Sequence, residues 1–63
     1  MSKTHPEIVH MVIKQYGPIK GKDVIAKCAE FGFTNPRSTS AVLFNAYRAG
    51  TIIKDEEGHW TST

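Results

Sequence analysis

The chain has one cysteine, Cys28, among its 63 residues. An internal disulfide is excluded, and a reducing, cytoplasmic setting is expected. Structural zinc sites are excluded too, because they need four Cys or His ligands at set spacings. His5 and His10 are five apart, which does not align them on one helix face. No apolar run approaches the roughly 20 residues of a membrane span. The first ten residues, MSKTHPEIVH, lack the basic region and apolar stretch of a signal peptide. There is no internal repeat, linker or low-complexity tract. Length excludes more: a chain this short buries only about 60% of its unfolded surface. A core, a cofactor and a deep cleft do not fit together in it, so enzymes are disfavoured and no cofactor is expected.

Acid is also scarce where it matters. From Phe31 through Lys54 there is no Asp or Glu, only Arg37, Arg48 and Lys54. Residues 1–54 carry all eight Lys and Arg against Glu7, Asp23 and Glu30, a net of +5. Residues 55–63 carry Asp55, Glu56 and Glu57 with no Lys or Arg, a net of −3. The acid-free stretch can face an anion without internal repulsion. So few charges also separate readily by chance.

What is present is a globular composition: 40% hydrophobic, 22% charged and six aromatics, enough to offset ordering entropy and exclude disorder. Gly and Pro divide the chain. Thr4-His5-Pro6-Glu7 is a capping-box pattern. Ile8, Val9, Val12, Ile13 and Tyr16 follow on one face, which predicts a helix over about 5–16. Gly17-Pro18 ends it, with Gly17 expected in the left-handed C′ conformation. Ile19-Lys20 is a short extended piece. A second helix is expected from about Gly21 to Glu30, with Val24, Ile25, Cys28 and Phe31 as its apolar stripe and Gly32 as its stop. Phe33 is expected to plug the following turn.

Asn35-Pro36 is the strongest local signal, a preferred N-cap followed by a preferred first helical residue. The third helix should run from Pro36 to about Ala49, with Gly50 as C′. On a helical wheel Thr39, Val42, Leu43, Ala46 and Ala49 share a core side. Arg37, Ala41, Phe44, Asn45 and Arg48 share the other, flanked by Ser38 and Ser40. Thr51-Ile52-Ile53-Lys54, a turn at Asp55–Gly58 and His59-Trp60-Thr61-Ser62 form a hairpin signature, with Ile52 and Trp60 facing the core.

The segments GPIKGKDVIAKCAEFGF, NPRSTSAVLFNAYRAGTII and KDEEGHW together resemble the winged helix-turn-helix family over nearly the whole chain. The resemblance implies a single domain over 1–63, mostly α with a small antiparallel hairpin wing. It also implies a third helix entering the major groove of double-stranded DNA. Carried onto this sequence, the reading residues are Arg37, Ser38, Ser40, Ala41, Asn45 and Arg48. Arg pairs bidentately with guanine and Asn with adenine. Lys20, Lys22, Lys27 and Lys54 are the expected phosphate contacts. The implied role is a transcriptional regulator or an architectural factor. High affinity from so small a module calls for a homodimer or tandem sites.

Two features depart from that pattern. Asp55, Glu56 and Glu57 put carboxylates at the wing tip, where they repel a duplex. Phe44 lies on the outward face, where it has three readings: a thymine-methyl contact, an anchor for a protein partner, or core packing. The last two features, with a free-standing length and no sensor domain, support an alternative. In it, a phage-type adaptor or inhibitor binds protein through Phe44, Asp55, Glu56 and Glu57 without DNA. Cys28 reads as a small buried hydrophobe, Trp60 and Tyr16 as core. Asp55, Glu56, Glu57 and His59 read as a solvated turn ahead of a metal or acid–base cluster.

Overall fold

A computed structural model describes residues 3–63. The elements are α1 (His5–Tyr16), β1 (Ile19–Lys20), α2 (Gly21–Glu30), α3 (Pro36–Ala49), β2 (Ile52–Lys54) and β3 (His59–Ser62). All three helices have the expected bounds. The fold is α+β, a three-helix winged-helix layout closed by a small sheet.

Each helix start has its own chemistry. The Thr4 hydroxyl accepts from the Glu7 amide, and the Glu7 carboxylate accepts from the Thr4 amide, so the capping box is complete. The Asn35 carboxamide oxygen accepts from the amides of Arg37 at 3.0 Å and Ser38 at 3.4 Å, with Pro36 following at the first helical position. The start of α2 has no side-chain cap and follows directly from β1.

The three strands form one antiparallel sheet in the order β1-β3-β2. Ile19 pairs with Trp60 and Lys20 with His59 on one side of β3. Ile52, Ile53 and Lys54 pair with Ser62, Thr61 and Trp60 on the other. The buried apolar residues form a single cluster drawn from every element. Ile8, Val9, Val12 and Ile13 of α1 meet Val24 and Cys28 of α2, Leu43 and Ala46 of α3, and Ile19, Ile52 and Trp60 of the sheet.

Four expectations are corrected. Gly17 is extended, with φ −66° and ψ 151°, where a left-handed residue was expected. Glycine is needed there for space: its amide donates to the Ile13 carbonyl, and a Cβ would collide with that same oxygen. Gly50, by contrast, does take the left-handed conformation, at φ 81°. Tyr16 is 47% exposed, because the last residue of α1 overshoots the core; its ring lies 4.8 Å from Lys27 Nζ. Phe31 is 53% exposed. The chain leaves helical phase at that residue, and Phe33 takes its place against the core, stacked 4.4 Å from His5. Ala49 is exposed in the last turn of α3.

Candidate nucleic-acid interface

The third helix buries Thr39, Leu43 and Ala46 and leaves Arg37, Ser38, Ala41, Phe44, Asn45, Tyr47 and Arg48 exposed. The helical register places Arg37, Ala41 and Arg48 farthest from the core. Neither arginine forms an ion pair among the described residues. No acidic side chain lies on the helix. Both guanidiniums are therefore free to meet an anionic partner.

The expected reading residues divide between two sides of this ridge. Ser40 is half-buried and turns toward a groove of about 340 Å³ between α2, α3 and the wing. That groove is also lined by Gly21, Lys22, Phe44, Lys54 and Trp60, with no acid. Asn45 turns the other way, toward α1, into a shallow depression shared with Pro6, His10 and Thr51. By register Ser38 lies on that side as well. Arg37, Ala41, Phe44 and Arg48, bordered by Ser40, are the part that the fold brings together.

Phe44 is half exposed, and the structure adds Tyr47 beside it. Both rings meet the buried Trp60 edge to face, with centroids at 6.1 Å and 5.7 Å. Lys54 Nζ lies 5.3 Å from the same Trp60 ring, within cation–π range. Trp60 is thus a core residue that holds the wing side of α3 in place. The Tyr47 contact escaped the sequence reading, which treated Trp60 as core alone. The three-residue spacing of Phe44 and Tyr47, which puts two aromatics side by side on a helix, was the available signal.

The expected phosphate contacts are not equivalent. Lys20 and Lys22 are exposed and make no ion pair among the described residues. Lys27 is partly covered, lies 3.7 Å from the Glu30 carboxylate and stacks on Tyr16. It is less free than Lys20, Lys22 and Lys54.

The wing turn also separates its three acids. The Asp55 carboxylate accepts from the amides of Glu57 at 2.9 Å and His59 at 2.8 Å. Those backbone bonds, the one from His59 foremost, hold its pKa below the ordinary carboxylate value. His59 Nδ1 lies 3.6 Å from Asp55 and 3.7 Å from Glu57. Asp55 builds the turn, whereas Glu56 and Glu57 are the exposed tip.

Under α3, the buried Thr39 hydroxyl lies 2.9 Å from His5 Nε2 and within reach of the Asn35 carbonyl. Burial pushes the Cys28 thiol up, opposed by a hydrogen bond with Thr39. Cys28 is fully buried, unlike a reactive thiol. No group of three His, Cys, Asp or Glu suited to a metal occurs among the described residues. No helix among them is long and apolar enough to cross a membrane.

No protein-family model, curated protein or solved structure matches this chain.

Proposed function

We propose that the protein binds double-stranded DNA, with α3 in the major groove, as a transcriptional regulator or an architectural factor. The observation that carries the reading is the exposed, acid-free ridge of α3 with Arg37 and Arg48 free of ion pairs. The two arginines are eleven residues apart, about 16 Å along a helix axis. That spans about five base-pair steps of 3.4 Å. Lys22 and Lys54 line the adjoining groove and are placed to take phosphates beside the helix.

Fluorescence anisotropy of a labelled mixed-sequence duplex tests this at about 50 and 200 mM salt, where phosphate-driven affinity changes steeply. Wild type should bind at low salt and weaken sharply at the higher value. Arg37→Ala/Arg48→Ala should lose most of the binding. No binding at either salt removes DNA contact as the activity.

A second reading rests on the half-exposed rings of Phe44 and Tyr47, which pack on Trp60 of the hairpin whose turn carries the acids. Aromatics and Arg are enriched at protein interfaces, and a protein-binding adaptor or inhibitor would use this same face. Retention of a partner by wild type but not by Phe44→Ala, without DNA, supports it.

A further inference from the structure

We infer that Phe44 is a specificity residue that selects a thymine-bearing base pair through its 5-methyl group. The inference rests on the DNA-binding reading above and assigns part of its sequence preference. Phe44 stands in the middle of the exposed ridge of α3. It lies seven residues after Arg37 and four before Arg48, about 10 Å and 6 Å along the axis. About half of its surface is open, and the rest leans on Trp60 with the two rings near perpendicular, at 86°. Trp60 is itself 3% exposed and fixed between two strands. A ring backed this way has little rotamer freedom left to lose on binding.

The surroundings favour a base over an apolar protein pocket. The exposed neighbours of Phe44 are Arg37, Ala41 and Arg48 on the ridge, with Ser40 at its border and the half-exposed Tyr47 on its wing side. Two guanidiniums and a small side chain suit close approach to a groove floor. Phenylalanine has no hydrogen-bonding group, so its one specific partner in the major groove is the thymine methyl. Arginine pairs most often with guanine. The expected site therefore holds a thymine within about three base pairs of each of two guanine-bearing pairs.

The test begins with selection of duplexes from a random pool by the full 63-residue chain. Each thymine of the selected duplex is then replaced singly by deoxyuridine, which removes only the methyl. For wild type, one position should weaken binding about fourfold, the effect of forfeiting the burial of one methyl group. For Phe44→Ala that position should show no difference between thymine and uracil, while Phe44→Leu should keep part of it. Circular dichroism melts establish that each variant is folded. If every thymine-to-uracil change is silent, or if Phe44→Ala responds as wild type does, the thymine contact is wrong while DNA binding stands. If no duplex is enriched at low salt, both readings fall together.

Discussion

Two carboxylates three bonds of chain apart do different work in the wing. Asp55 accepts two backbone amides and is easier to ionise in the folded protein than in the unfolded chain. Its contribution to stability is therefore complete above the ordinary carboxylate pKa of about 3.9 and is lost as pH falls through the lower folded value. Asp55→Asn should flatten this part of the acid response. Thermal melts between about pH 6 and 3 check it: the melting temperature of wild type should drop further than that of the variant. An equal drop would mean that other carboxylates dominate the acid response. Glu56 has no such role: it is exposed and makes no side-chain hydrogen bond among the described residues. Charge counted along a sequence cannot separate these acids, because the distinction lies in which amides a folded turn presents.

At the scale of the element, the helix bounds and three of the caps were the most legible part of the fold. Thr4, Asn35 and Gly50 satisfy terminal amides and carbonyls by local chemistry, and local chemistry is what a sequence spells out. The corrections fall where an element's end meets tertiary space. Tyr16 and Phe31 fit a helical stripe by spacing, yet both sit at a terminus where the core no longer follows the helix. The wheel for α3 was right about Thr39, Leu43 and Ala46 but overran the core at Ala49, and it could not show that Asn45 turns toward α1, or that Tyr47 joins Phe44 on Trp60. Those depend on which neighbour flanks each side of the ridge. The cap at Asn35 has a measurable worth. Asn35→Ala should cost about 1 kcal/mol, or a fall of roughly 4–8 °C in melting temperature for a domain of this size. Differential scanning calorimetry would show it, and a change within error would mean that Pro36 and tertiary packing hold the helix start unaided.

For the whole molecule, the uneven charge becomes a spatial arrangement. Arg37 and Arg48 lie on α3 and Lys22 and Lys54 along the groove beside it, whereas Glu56 and Glu57 lie at the wing tip; Glu7, Asp23 and Glu30, also exposed, lie on α1 and α2. Under the DNA reading the tip opposes binding. Glu56→Gln/Glu57→Gln should therefore tighten duplex binding several-fold at about 50 mM salt, with less gain at 200 mM as screening shortens its range. Leaving Asp55 in place keeps the turn intact. Unchanged binding by this double variant would place the wing away from the duplex and turn attention to a partner that reads the acids directly.

The strand order has a consequence for how the molecule comes into being. The sheet's middle strand is β3, the one farthest along the sequence, and β1 and β2 are joined only through it. In a nascent chain Ile19 waits some forty residues for its strand partner Trp60. Until then the ring that steadies Phe44 and Tyr47 is missing. A nick in the Asp55–Gly58 turn would cut the covalent link to the same strand and leave it held by strand pairing and Trp60 alone. The Phe44–Tyr47 side of α3 therefore gains its backing only once β3 is made, and a protease cut in the wing puts that backing at risk.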